Sequence, residues 1–124
     1  MADDHPLVLK RVTALLQTQT AVEVVGTASN GRELVSEAMR LTPDVIVTDI
    51  SMPEINGIEA AHQLRASGCT AKLVFLTVQV ADEFVNACLA EGALGYVVKA
   101  DMRTDLILAI HAAMSDRQFI SCRI

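Results

Sequence analysis

The pattern of apolar and polar positions along the chain switches repeatedly between two periods. Val45-Ile46-Val47 and Lys72-Leu73-Val74-Phe75-Leu76-Thr77 are short, continuous apolar runs, the form taken by strands buried on both faces. Gly95-Tyr96-Val97-Val98-Lys99 reads the same way, and Val22-Glu23-Val24-Val25-Gly26 is short and β-branched enough to be a further strand. Between these runs the apolar residues recur three and four apart. Val8, Val12, Leu15 and Leu16 place a helix over Leu7 to Gln17, entered through Pro6 at its first position. Asn30-Gly31 opens a second helix to about Leu41, stopped by Thr42-Pro43. A third runs from Gly57 to Ser67 and ends at Gly68, a fourth from Ala81 to Glu91 and ends at Gly92. Arg103 to Met114 is a closing helix. Strands alternating with helices of ten or more residues imply a parallel sheet covered on both faces.

Composition narrows the class without changing that picture. At 124 residues, 52% apolar and 20% charged, the chain is one domain with a single core rather than a disordered segment. A net charge of -5 argues against a nucleic-acid surface within this segment. No apolar run reaches the roughly 18 residues of a membrane span, and the acidic start Met1-Ala2-Asp3-Asp4 is unlike a signal peptide. Cys69, Cys88 and Cys122 are odd in number and lack CxxC spacing, so they read as reduced thiols in a cytoplasmic protein.

Chemistry gathers at the strand ends. Asp49, Thr77 and Lys99 each close a strand, and Asp3-Asp4 stand where a very short first strand would end. The C-terminal ends of parallel strands lie along one edge, where open α/β sheets place their sites. Three carboxylates there repel one another unless a cation is present, and Mg²⁺ is the natural one because it takes oxygen ligands. His5 reads as a helix-entry residue, His62 and His111 as surface residues, and Glu54 as a solvated loop residue.

The set Asp3-Asp4, Asp49, Thr77 and Lys99 resembles the receiver domain of two-component response regulators. The DxxMPxxxG pattern from Asp49 to Gly57 and the segment from Gly92 to Asp101 carry the same resemblance. Asp3-Asp4-His5-Pro6 is similar to receivers that precede a LuxR-type DNA-binding domain. The resemblance implies a doubly wound, flavodoxin-like parallel sheet of strand order 2-1-3-4-5. It implies Asp49 as phospho-acceptor from a sensor histidine kinase, with Thr77 and Lys99 holding the phosphoryl group. Mg²⁺ would be held by Asp4 and Asp49, by Asp3 through water, and by the Ser51 carbonyl. Thr77 moving inward would let Tyr96 rotate and reshape the surface of the fourth helix and last strand, so that partner binding or self-association as a homodimer changes. Ser51 and Gln79 stand at positions that tune acyl-phosphate lifetime. On this reading the chain is no enzyme beyond its own phosphorylation and dephosphorylation. The receiver would cover residues 1–116, with 117–124 starting a linker, and DNA would be reached only through a domain absent from this chain.

Two other classes fit less well. A haloacid-dehalogenase-like phosphatase needs a second aspartate two residues after the nucleophile, where Ser51 stands. A flavodoxin-like flavin binder needs a Ser/Thr/Gly-rich loop after the first strand, where Asp3-Asp4-His5-Pro6 stands.

The chain departs from the family at its start. Only Met1 and Ala2 precede Asp3, so most of an interior strand of about five to six residues is missing. About four lost apolar side chains would remove about 6–12 kcal/mol, against a typical domain stability of about 5–15 kcal/mol. A missed or trimmed upstream start would explain the gap without restoring the strand to this chain, for which three outcomes are open: the N-terminus pairs as a stub, the first two strands rearrange, or another chain fills the gap. Asp3 and Asp4 would be loosely placed, and the alternative function is an interaction or dimerisation module with weak or no phosphorylation.

Overall fold

The structure is a computed structural model and describes residues 1–121. Cys122 and the end of the 117–124 segment lie outside the described residues.

Its centre is a parallel sheet of β1 (Val45–Thr48), β2 (Lys72–Thr77), β3 (Gly95–Val98) and β4 (Phe119–Ile120), in that spatial order. The register sets Val47 beside Val74 and Thr77 beside Val98. Alternation along β2 explains its continuous apolar run. Leu73 and Phe75 enter one core with α2 (Gly31–Leu41), α3 (Gly57–Ala66) and α4 (Asp82–Ala90), while Val74 and Leu76 enter another with α1 (Pro6–Gln17) and α5 (Met102–Met114). The sheet is therefore covered on both faces, as its two-sided apolar runs require.

Local chemistry sets the helix ends. Asn30 and Asn56 cap α2 and α3 by accepting from the Glu33 and Glu59 backbone N–H groups, each at 2.8 Å. Gly68 and Gly92 follow α3 and α4 with φ of +85° and +83°, the left-handed conformation that glycine tolerates best.

The first two strands are reduced to single bridges. Ala2 pairs in parallel with Ala28 on one side and Thr48 on the other. The N-terminus is thus a stub in the interior position, and the order second, first, third, fourth, fifth survives as one residue across. The strand expected over Val22–Gly26 does not form. In a parallel ladder with Ala28 opposite Ala2, the register carries residues 22–26 beyond Met1, and they have no strand neighbour among the described residues. The segment still keeps a strand's periodicity: burial alternates at every residue from Ala21 to Ala28. The last interior strand stops at Val98, one residue earlier than expected, and Lys99–Asp101 form a 3-10 turn.

Phe119 and Ile120, within the segment read as a linker, pair with Gly95 and Tyr96 of β3. Ser121 fastens this edge, its hydroxyl accepting from Val98 N–H at 3.1 Å and donating to Asp105 Oδ2 at 2.9 Å.

Candidate functional site

β1 delivers Asp49 to the edge of the sheet, and the loop behind it is closed tightly. Gly57 N–H donates to the Ile50 carbonyl at 2.7 Å, and a β-carbon on Gly57 would stand 1.9 Å from the Asp49 carbonyl oxygen. The Asp49 backbone N–H donates to the Ala2 carbonyl at 2.9 Å, tying the end of β1 to the N-terminal stub. Asp49 is only 3% exposed. Its Oδ1 accepts from Ile50 N–H at 2.7 Å and its Oδ2 from Lys99 Nζ at 2.8 Å.

Ala2 places the other carboxylates. Asp3 N–H donates to the Ala28 carbonyl, and the Asp3 side chain is fully buried. Its Oδ1 accepts from the His5 backbone N–H at 2.9 Å, and its Oδ2 lies 2.7 Å from Lys99 Nζ. One residue of strand pairing and the Lys99 bridge place Asp3 at the sheet edge beside Asp49. Asp4 is partly exposed, with Oδ1 3.0 Å from His5 Nδ1. One ligand atom from each of Asp3, Asp4, His5 and Asp49 lies within 4.8 Å of the others.

The electrostatics follow from this crowding. Burial pushes the Asp3 carboxyl up, but the Lys99 ammonium and the His5 donors outweigh it and hold the group below its ordinary range. Burial pulls Lys99 down, and its bonds to Asp3 and Asp49 more than restore it, so it stays a firm cation. His5 is raised by its hydrogen bond to Asp3 and by the Asp4 charge. Asp3 Oδ2 and Asp4 Oδ1 are buried without a hydrogen-bond partner, 2.7 Å from Lys99 Nζ and 3.0 Å from His5 Nδ1 respectively. Hard oxygen donors with spare lone pairs, gathered in one place, fit a divalent cation such as Mg²⁺.

Asp3, Asp4, Asp49 and Lys99 are thus brought together. Ser51 lies exposed on the loop two residues after Asp49. Thr77 is fully buried at the end of β2, where its hydroxyl accepts from Gln79 N–H at 3.3 Å. Tyr96 is fully buried in β3, and its hydroxyl donates to the Gln79 carbonyl at 2.9 Å. The Gln79 backbone therefore joins Thr77 to Tyr96, a role its side-chain type did not announce.

Sequence reasoning also placed His5 differently. It occupies the cap position of α1, but its side chain makes no capping bond and its Nδ1 sits 2.9 Å from Asp3 and 3.0 Å from Asp4. Adjacency to two aspartates was the available signal. His62 is on the surface but not alone, lying 3.2 Å from Glu91, and Glu54 pairs with Arg32 at 3.2 Å.

Tyr96 yields a direct test, because it is the chain's one tyrosine. Burial, then the nearby Cys88 and Asp49, push its phenol up to about 12. The folded state then keeps the proton through a range in which the unfolded chain, near 10, has lost it. Stability should fall as pH rises from about 10 to 12. Ultraviolet titration should show phenolate appearing near pH 12 or together with unfolding. A midpoint at 10 in the folded protein would contradict the burial.

The sequence profile of the response regulator receiver domain matches residues 1–111. The chain is 36% identical to the response regulator GacA of Pseudomonas viridiflava over 124 residues, all of this chain and 58% of that one. It is 35% identical to the nitrate/nitrite response regulator NarL of Escherichia coli K12, over 98% of this chain and 56% of that one. It therefore spans a little over half the length of these curated relatives. Among solved structures, the signal receiver domain of NarL from Mycobacterium tuberculosis superposes with a TM-score of 0.89 at 28% identity, covering 94% of each chain. The isolated receiver domain of RcsB from Salmonella enterica serovar Typhimurium gives 0.90 at 28%, covering 98% of this chain and 91% of that one. With a two-sided parallel sheet, an acidic cluster at its edge and this match over nearly its whole length, the chain belongs to the response regulator receiver domain family.

Proposed function

We propose that this receiver is a phosphorylation switch in which Asp49 accepts a phosphoryl group from a sensor histidine kinase. The observation that carries the reading is Asp49 itself: a carboxylate 3% exposed, paired with Lys99 at 2.8 Å, beside Asp3 and Asp4. An Asp49 carboxylate oxygen attacks phosphorus, the bond from phosphorus to the donor's imidazole nitrogen breaks, and that nitrogen keeps the electron pair. The product is an acyl phosphate on Asp49. Asp3, Asp4, Asp49 and the Ser51 carbonyl would hold Mg²⁺, which when bound offsets the charge on phosphoryl oxygens. Lys99, already a firm cation between two carboxylates, turns to a phosphoryl oxygen, and the Thr77 hydroxyl donates to another.

The response passes through Gln79. Moving the Thr77 hydroxyl disturbs its bond with Gln79 N–H and, through the same residue, the Gln79 bond with Tyr96. Val78 and Val80, 65% and 50% exposed, flank this junction and give the surface apolar area for a partner or a second copy. With Mg²⁺ and acetyl phosphate the chain should gain one hydroxylamine-labile phosphoryl group, and Asp49→Asn should lose it entirely. Equal labelling of that variant in intact-mass spectra would reject the acceptor. A beryllofluoride mimic should change amide exchange over Val80 to Glu91 and Gly95 to Val98. Changes confined to Leu7 to Gln17 would reject the output route.

The single bridging residue Ala2 favours a second reading, an interaction module with weak or no phosphorylation. Absence of phosphoryl uptake by a folded, Mg²⁺-supplied chain would select it.

A further inference from the structure

His5 stands where a side chain ordinarily caps the first turn of a helix, yet its ring makes no bond to α1. The ring turns to the sheet edge instead, with Nδ1 2.9 Å from Asp3 Oδ1 and 3.0 Å from Asp4 Oδ1. Its backbone N–H bonds to the same Asp3 oxygen, and Pro6 fixes the entry to α1, so the ring is anchored beside the carboxylates. An ion pair would account for only part of this. The hydrogen bond of Nδ1 serves Asp3 Oδ1, and the buried Asp4 Oδ1 is left with none. A cation would engage that oxygen and the nitrogen at once. Ligands about 2.0–2.1 Å from one ion stand roughly 3.0–3.4 Å apart in an octahedral or tetrahedral shell. Nδ1 is therefore already spaced from its neighbours nearly as a ligand would be. One ligand atom of Asp49 completes the group within 4.8 Å. The His5 side chain is 63% exposed, so its ring is free to adjust without disturbing the core.

We propose that His5 is a further ligand of the cation site, through Nδ1, and that it opens the site to borderline divalent transition metals such as Co²⁺ and Zn²⁺. Mg²⁺ takes oxygen ligands and keeps much of its water, so an imidazole adds little to its binding. Ions later in the first transition row accept nitrogen and oxygen together and bind such a mixed set more tightly. Asp4 and Asp49 supply the oxygens and His5 the nitrogen, the ring giving up its Nδ1 proton to solvent as it coordinates. His5 thus decides which ions compete with Mg²⁺ rather than how well Mg²⁺ itself is held. An ion that also holds the imidazole has one position fewer for a phosphoryl oxygen. The inference rests on the reading of this cluster as a cation site, and not on phosphoryl transfer to Asp49.

The test titrates the full chain with Co²⁺ and, separately, with Mg²⁺, beside His5→Ala. Co²⁺ should bind the parent more tightly than Mg²⁺, and excess Mg²⁺ should displace it, which puts both ions in one site. Groups that merely orient a metal ligand are worth about 10–100-fold in affinity, so losing the ligand itself should weaken Co²⁺ at least roughly tenfold. Mg²⁺ should bind His5→Ala no more weakly than the parent. A second readout needs no variant affinity: bound Co²⁺ should shift the proton resonances of one imidazole ring paramagnetically, and those signals should be missing from His5→Ala. Equal weakening of both ions would make His5 a prop for the carboxylates and overturn the proposal. Co²⁺ binding that survives His5→Ala, or that Mg²⁺ does not displace, would place the ion elsewhere, as at His62 and Glu91, and overturn it too. Mg²⁺ binding with no shifted ring signal under Co²⁺ would remove His5 alone, whereas a folded parent that binds neither ion would remove the cation site with it.

Discussion

Lys99→Ala is expected to destabilise the domain by about 3–5 kcal/mol in metal-free buffer, the usual result of breaking a buried ion pair from one side. Its ammonium lies 2.7 Å from Asp3 Oδ2 and 2.8 Å from Asp49 Oδ2, and both carboxylates are buried. Removing it leaves the two negative charges facing each other and Asp4. Asp49→Asn in the same background should recover part of the loss, because it removes one of the stranded charges, so the double mutant should be non-additive.

The sign of the pH dependence should also reverse. In the native protein Asp3 is held below its ordinary range, so its contribution is present above the unfolded carboxylate range and lost as pH falls through the folded value. Burial is already the largest single influence on Asp3, and removing Lys99 takes away the strongest of those that oppose it, which favours the neutral form. Lowering the pH from 7 toward 5 should then stabilise the variant while leaving the parent unaided. Urea melts of both proteins across that range measure this. Parallel curves would mean that Lys99 does not govern the cluster.

Gly57→Ala should be as damaging for a different reason. The new methyl would lie 1.9 Å from the Asp49 carbonyl oxygen and 3.2 Å from the Ile50 Cα, so only backbone movement can relieve the clash. Overpacking of a core generally costs about 1–3 kcal/mol, and a rigid backbone obstacle puts this site at or above the upper end. The loop would move with Asp49 on it, so phosphoryl uptake should fall together with stability. Gly68→Ala is the matched control. A β-carbon there meets nothing within 4 Å, and its cost comes from φ of +85° alone, about 1–2 kcal/mol. Thermal melts that rank Gly68→Ala as the worse variant would refute the close-approach argument.

These residues were legible to different degrees. Asp49, Thr77 and Lys99 could be placed from sequence because a run buried on both faces has one exit, and a polar residue there stands on the sheet edge. The Val22–Gly26 strand was misread because its apolar pattern is real but a ladder needs a neighbour, and its neighbouring positions precede Met1. β4 escaped notice because two residues are too few to show a period. Gln79 and Ser121 act where periodicity carries no signal, Gln79 through backbone groups and Ser121 through one hydroxyl at an edge. His5 was read by its helix position, whereas the two adjacent aspartates decide where its ring goes.

The single bridging residue has a thermodynamic corollary. Asp3 and Asp4 follow Ala2 directly, so the N-terminus cannot leave the sheet without withdrawing two carboxylates from the cluster. Any cation those carboxylates prefer when gathered must, by linkage, favour the docked N-terminus by the same free energy. Whatever strengthens the docking must in return tighten the cation by an equal factor. Divalent affinity and amide protection at Ala2 and Ala28 are therefore two readings of one equilibrium, and a change at the backbone bridge would be felt as a change in ionic sensitivity.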